Sequence, residues 1–240
     1  VVVADSCTGE VSELVPAGGP LTNPVGLIVD EASGTLLVCN SDFTFATPPS
    51  IDVLDLADGS LLGRHAFDAP GFCNDLTLDA DGNVYATDSS GARVLRVAAA
   101  DLPSMSPAQT WATDPDFVVG MGEFGLNGIT FDGEASIYVV NFAQGELHRI
   151  AIADDGSAGA ITAIMVGDTG LASPDGLEWS DGDMLVIEGG LSAVSRIELA
   201  GDSATVTVLA DGYDVPTTLA LVGSDAWVAE GQLDHLLGLD

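Results

Sequence analysis

The stretch "NDLTLDADGNVYATD", residues 74–88, decides the fold. Residues 74–78 and 84–88 are short apolar runs rich in strand-forming side chains, and "DADG", residues 79–82, lies between them. Two such runs joined by an Asp/Gly turn read as a β-hairpin. "DADG" has the oxygen-rich look of a Ca²⁺ loop but lacks that loop's remaining ligand positions, so it reads as the turn.

The hairpin recurs along the chain. Its second half, four apolar places and then Asp, Asn or Glu, is found as "VVVAD", "LLVCN", "VYATD", "IYVVN", "MLVIE" and "AWVAE". The terminal residues are Asp5, Asn40, Asp88, Asn141, Glu188 and Glu230, spaced by 35, 48, 53, 47 and 42 residues. Five of the six have an upstream partner 13 to 15 residues before that terminal residue: "VGLIVD", "NDLTLD", "NGITFD", "DGLEWS" and "TTLALV". Further strand-like runs such as "ARVLRVA" and "AVSRIEL" follow most pentads.

A four-stranded antiparallel unit repeated every 40 to 50 residues or so is the blade of a β-propeller. The expectation is an all-β, single-domain chain over residues 1–240: a six-bladed β-propeller of four-stranded antiparallel blades. Its first blade is incomplete at the N-terminus, because "VVVAD" lacks a preceding inner strand. The C-terminal "LDHLLGLD" is the candidate for closing the ring, and self-association through the open edge of that blade is expected.

Composition bounds the function. The 240 residues are 47% hydrophobic, enough for a large core, and only 6% aromatic. No run approaches the roughly 18–20 apolar residues of a membrane helix, so membrane insertion is not expected. Against 37 acidic residues stand 5 Arg and no Lys, for a net charge of −32. Such a surface repels nucleic acid and anionic membranes and suits divalent cations and saline surroundings. A secreted or extracytoplasmic location follows as the expectation.

In an antiparallel hairpin the first strand starts where the second one ends. Asn74, Asn127 and Asp175, which open inner strands, therefore share a face with Asn40, Asp88, Asn141, Glu188 and Glu230, which close second strands. Carboxylates and amide carbonyls brought to one channel mouth form a ligand set for Ca²⁺. The same residue types also bond loop backbone at strand ends. Val25 and Thr217 hold the equivalent places in other blades and are poor ligands, which makes the mouth asymmetric.

Cys7, Cys39 and Cys73 show no CxxC spacing, which argues against zinc. One disulfide with a spare thiol and three buried thiols both fit; a Cys39–Cys73 bridge is sterically compatible, with Cys7 as competitor. His65, His148 and His235 fall in different blades, and Trp111, Trp179 and Trp227 read as inter-blade packing.

"FCNDLTLDADGNVYATDS", "GLNGITFD", "SPDGLEWSDGDMLVIE" and "DVPTTLAL" resemble the gluconolactonase/regucalcin family, also called the senescence-marker-protein group. The resemblance implies a divalent cation, commonly Ca²⁺, on the propeller axis. It implies Asn127 and Asp175 as ligands, with Asn74 beside metal and substrate and Asp75 following it. The family's further ligand, a Glu of the first inner strand, would precede Val1. By resemblance, the catalytic set is Asp175, Asn74 and Asp75, and the metal set is Asn127, Asp175 and Asn74. The implied activity is Ca²⁺-dependent hydrolysis of a small neutral lactone or ester at the channel mouth. The alternative is a non-catalytic extracellular binding or assembly propeller with a vestigial axial metal site.

Overall fold

The computed structural model describes residues 1–5, 7–68 and 70–232. The expected ring-closing segment, residues 233–240, and His235 within it lie outside the described residues. Twenty strands and three short 3₁₀ turns make up the regular structure, with no α-helix among the described residues.

Strands β1 (Val2–Ala4) and β2 (Val11–Glu13) form a hairpin. Four four-stranded antiparallel blades follow. The first is β3 (Pro24–Asp30), β4 (Thr35–Asn40), β5 (Ser50–Asp55) and β6 (Leu61–Ala66). The second is β7 (Cys73–Leu78), β8 (Val84–Asp88), β9 (Arg93–Val97) and β10 (Gln109–Thr113). The third is β11 (Leu126–Phe131), β12 (Ser136–Asn141), β13 (Glu146–Ile152) and β14 (Ala158–Val166). The fourth is β15 (Pro174–Ser180), β16 (Asp183–Glu188), β17 (Ala193–Ala200) and β18 (Ser203–Asp211), and a hairpin of β19 (Pro216–Val222) and β20 (Asp225–Glu230) ends the series. A short parallel pairing of β14 with β18 joins the outer edges of the third and fourth blades.

The inner strands β3, β7, β11, β15 and β19 touch in chain order, the arrangement of propeller blades around a channel. The apolar cores lie between neighbouring blades. One joins the first and second blades through Leu37, Ile51, Leu76 and Leu95, and another joins the second and third through Tyr85, Val94, Ile129 and Ile137. A third packs Tyr138, Leu147, Leu177 and Met184 between the third and fourth. Each fully buried Leu or Ile contributes about 1.5–3 kcal/mol, so the blades hold one another rather than standing alone. At the two ends of the series the matching faces are open: Leu27 and Val29 of β3, and Leu221, Val222 and Trp227 of the last hairpin, are exposed. Trp179 stacks on Tyr138 across blades, as expected; Trp111 packs on Tyr85 of its own blade and reaches the next through its indole N–H, which donates to the Gly156 carbonyl, whereas Trp227 is half-exposed.

One strand assignment changes. "VVVAD" matches the second-strand pattern, but β1 takes the place of a third strand: only β2 lies between it and the inner strand β3, whereas two strands follow each of β4, β8, β12 and β16. The Asp5 backbone N–H donates to Glu10, Gly9 donates back to Asp5, and the Asp5 carboxylate accepts from Cys7 and Thr8. At the β5–β6 turn Asp55 bonds Ser60, Gly59 and Ala57 in the same way. The apolar-then-Asp signature thus has two sources, a strand closing at the channel mouth and a strand entering a Gly turn at the opposite end. The "DADG" hairpin turn is confirmed: Asp79 accepts from the backbone of Asp81 and Asn83 and from the Tyr85 hydroxyl, with Gly82 at φ 78°.

Candidate metal and active site at the channel mouth

The two rings of polar residues at the mouth have different fates. The strand-closing residues bond the loop that leads into their own blade. Asn40 accepts from the backbone N–H groups of Thr22 and Asn23 and donates to Asp52. Asp88 accepts from Phe72 and Gly91 and pairs with Arg93 at 3.0 Å. Glu188 accepts from Ala172 and the Ser195 hydroxyl, and Glu230 accepts from Asp214. Asn141 is occupied by Gln144. These five oxygens close loops, which leaves the inner-strand starts as the candidate site.

Every inner strand is bulged where it opens. In β7, Cys73 opposes Asp88 and Leu76 opposes Ala86, so Asn74 and Asp75 together face Thr87. The same two-against-one pattern holds Asn127 and Gly128 against Val140, Asp175 and Gly176 against Ile187, and Val25 and Gly26 against Cys39. A bulge turns side chains out of the ladder and is favoured beside functional sites. The second place of the bulge is Gly in three blades because neighbouring inner strands approach closely there. A Cβ on Gly26 would sit 2.6 Å from the Asn74 carbonyl oxygen, and one on Gly128 would run into the Asp175 carbonyl. In β7 that place is Asp75, and its carboxylate stands in the gap Gly26 leaves, 2.8 Å from where a Cβ would be.

The sequence-derived candidates come together in part. Asn74 donates its amide to the Ser89 hydroxyl at 2.9 Å, and its own carbonyl oxygen makes no hydrogen bond among the described residues. Asn127 is buried, its backbone carbonyl accepts from Thr87, and its side-chain Oδ1 has no partner. Burial pushes the Asp75 carboxyl up to about 7, against the pull of the Leu76 and Ile129 backbone N–H groups. Burial first and the Asp75 charge second push Asp175 up to about 7, and only the Asn127 side chain pulls it down. Like charges crowded at one place disfavour ionisation.

Glu178 was not among the sequence candidates. It too is pushed up to about 7, by burial and then by the Asp75 charge. The signal lay in the fourth place of the inner-strand motif, where the other blades carry Ile28, Thr77, Thr130 and Ala220 and this blade alone carries a charge. A carboxylate inside an inner strand has no structural duty comparable to the strand-end bonds.

The donor set is all oxygen: two amide carbonyls and three carboxyls, of which Asp75 raises the proton affinity of Asp175 and Glu178. Among the described residues no three His, Cys, Asp or Glu side chains form a ready metal cage. A cation here would draw on the Asn127 Oδ1, a carboxylate and water, which fits a hard ion of flexible coordination such as Ca²⁺. His65 is excluded from chemistry: it is buried with both ring nitrogens held, one by Ser106 and the other by Leu102. His148 packs on Phe117 and contacts Glu146.

Behind the mouth, the Cys39–Cys73 bridge ties the second strand of one blade to the inner strand of the next, at a Cα separation of 5.1 Å. Cys7 is free and exposed.

No family model and no curated protein matches the sequence. Solved structures match in fold. The chain is similar to virginiamycin B lyase from Staphylococcus aureus, with a TM-score of 0.66 at 15% identity over 93% of this chain and 68% of that one. A chain of a nidogen/laminin complex matches with a TM-score of 0.70 at 16% identity over 95% and 80%. A gluconolactonase from Xanthomonas campestris matches with a TM-score of 0.66 at 20% identity over 93% and 73%. The class is therefore a β-propeller. A gluconolactonase, the family type that the sequence resembles, is among the proteins that share this fold.

Proposed function

We propose that the chain is built on a six-bladed propeller plan and that its channel mouth binds Ca²⁺ and hydrolyses a small neutral lactone or ester, outside the cytoplasm. The observation that carries this reading is the buried Asn127 Oδ1, without a partner among the described residues, beside the Asp175 carboxyl, which burial and the Asp75 charge both push up. An orphaned buried acceptor costs about 1–3 kcal/mol, and a cation removes that cost together with the carboxylate repulsion.

Asn127 and Asp175 would hold the cation, with Asn74 at the edge of its shell. When bound, the ion supplies Lewis-acid polarisation of an ester carbonyl. Asp75, pushed up to about 7 by burial, is tuned as a general base near neutral pH. It takes the proton of a water whose oxygen adds to the acyl carbon. The ring or ester C–O bond breaks, and the proton returns to the departing oxygen. Asn74 holds the attacking water, accepting its second proton in a hydrogen bond on the free side-chain carbonyl oxygen, while its amide is held by Ser89. The product is a carboxylate, and a surface of net charge −32 favours its departure.

A second reading, a non-catalytic extracellular assembly module, is favoured by the open apolar faces of β3 and of the β19–β20 hairpin. Assays of lactone and aryl-ester hydrolysis with Ca²⁺ or EDTA, run on wild type and Asp175→Ala, separate the two. The hydrolase reading expects activity that needs Ca²⁺ and falls about a hundredfold or more in the variant. Folded protein inactive on every lactone and ester overturns it and leaves the assembly reading.

A further inference from the structure

Three loops on the mouth side carry aromatic residues to one place: residues 41–49 after β4, 67–72 before β7, and 114–125 before β11. Phe72 is buried at the centre. Phe43 lies 5.3 Å from it, Phe124 5.1 Å in an edge-on arrangement, and Phe45 6.5 Å. Half of the chain's 8 Phe residues thus meet at one spot in a protein that is 6% aromatic. Phe72 alone is sheltered: Phe43, Phe45 and Phe124 are 55%, 53% and 39% exposed. Single exposed apolar residues are ordinary, but a contiguous aromatic wall on so acidic a surface marks a binding surface.

The wall is organised before any ligand arrives. The Asp42 carboxylate accepts from the backbone and hydroxyl of both Thr44 and Thr47, which fixes the loop bearing Phe43 and Phe45. Phe45 is held at φ 56°, a backbone region unfavourable for a bulky residue. A hollow of about 210 Å³ opens beside it, lined by Phe45, Ala46, Thr47, Pro48, Pro70 and Gly71, with Asp68, held by Arg93, as its one charged residue. The wall is also joined to the candidate site. Ser89 accepts the Asn74 amide on its hydroxyl, its N–H donates to the Phe72 carbonyl, and its own carbonyl accepts from Gly125, the neighbour of Phe124.

We propose that this wall is the subsite for the apolar part of the substrate, and that the substrate class is a neutral lactone or ester carrying an alkyl or aryl group rather than a polyhydroxylated sugar lactone. This rests on the hydrolase reading of the mouth. The occupant is a small apolar group because the wall is continuous with Asn74 and its hollow is of small-molecule size. Charge keeps the class neutral, since the acidic surface disfavours anionic ligands.

The test uses non-hydrolysable γ-lactams, unsubstituted, butyl-substituted and heptyl-substituted, titrated calorimetrically into the Ca²⁺-loaded protein, alongside turnover of the matching γ-lactones. The expected affinity rises about two- to fourfold for each added methylene. Phe43→Ala and Phe45→Ala each weaken the heptyl lactam about fivefold or more, and Phe45→Tyr retains binding. Affinity indifferent to chain length, preference for a sugar lactam, or a wild-type dimer that Phe43→Ala dissociates in sedimentation overturns the proposal. Chain-length-dependent binding without turnover of any lactone sinks the hydrolase reading and leaves the apolar subsite standing. Turnover of short and long lactones at equal rates does the reverse.

Discussion

The channel mouth carries two rings of oxygen-bearing side chains, alike in composition and opposite in state. The outer one, at the ends of the second strands, is saturated: Asn40, Asp88, Glu188 and Glu230 each hold backbone N–H groups of an entering loop. The inner one, on the inner strands, is less fully satisfied. Asn127 has an Oδ1 with no partner among the described residues, burial raises Asp75, and burial together with the Asp75 charge raises Asp175 and Glu178. Recurrence marked the outer ring, and departure from recurrence marks the inner one. A side chain repeated in every blade maintains the blade, whereas a carboxyl where other blades place Gly or Thr is free for chemistry.

Removing an outer-ring member should destabilise the fold most. Asp88→Ala deletes the acceptor for Phe72 and Gly91 and leaves the largely buried Arg93 with only the exposed Asp68 as ionic partner. A loss of about 3–5 kcal/mol in denaturant unfolding is expected. The same mutation spares the inner ring, so whatever protein stays folded should still bind Ca²⁺. A stable variant that has lost only Ca²⁺ binding would invert the assignment of the rings.

The disulfide staples one ring to the other, since Cys39 precedes Asn40 and Cys73 precedes Asn74. Its sequence separation is 34 residues, and a loop of that size contributes about 3–4 kcal/mol by restricting the unfolded chain. Cys39→Ser with Cys73→Ser should lower stability by about that amount, while Cys7→Ser, at an exposed and unpaired position, should leave it unchanged. Equal effects at all three cysteines would break the distinction.

The inner ring should respond with the opposite sign. Asp75, Asp175 and Glu178 are pushed up to about 7 in the fold, above the ordinary values of 3.8 and 4.5. A raised value means that the protonated form favours folding. That contribution is fully present below about pH 4 and is lost as pH climbs through about 7. In EDTA the unfolding midpoint should therefore fall between pH 5 and pH 8, by an amount on the order of 2 kcal/mol, and saturating Ca²⁺ should abolish the fall. Asp75→Asn should flatten the EDTA profile, because the Asp75 charge also raises its two neighbours. Comparing that variant with wild type separates this effect from the general self-repulsion of the acidic surface. A profile unchanged in Asp75→Asn would remove the inner ring's special status.

The hairpin repeat was legible in the sequence because strand alternation and Asp/Gly turns are local signals. "NDLTLD" and "VYATD" pair as their pattern requires, and "DADG" is their turn. "VVVAD" misled because Asp closes a strand in two different settings, and what tells them apart is the count of strands that follow: β2 alone lies between β1 and the inner strand β3, whereas two strands separate each second strand from the next inner one. The strand-end oxygens do fall at one end of the blades, but the structure divides them into loop-bonding residues and inner-strand residues. A carboxylate at a strand end looks the same in sequence whether it binds an ion or a backbone N–H. Asp75 was legible only through the family resemblance, as the residue after Asn74, and the structure adds that it stands where three other blades carry Gly; Glu178 lies in mid-strand, where a lone carboxyl in the sequence does not reveal its burial. The aromatic wall was invisible because Phe43, Phe72 and Phe124 are joined only by the closing of blades.

The smallest effect tests whether the outer ring is one device or several. Glu230 makes the same kind of bond as Asp88, accepting from the Asp214 backbone at 2.8 Å, but it is exposed on the last hairpin. Water can replace a lost acceptor there, so Glu230→Ala should cost only about 0.5–1 kcal/mol in denaturant unfolding. If it costs as much as Asp88→Ala, its surroundings in solution are not those of an exposed edge, and the face of the β19–β20 hairpin is covered. The same bond in two environments thus measures burial, and a large value at Glu230 would point to assembly through the open face rather than to a mistaken hydrogen bond.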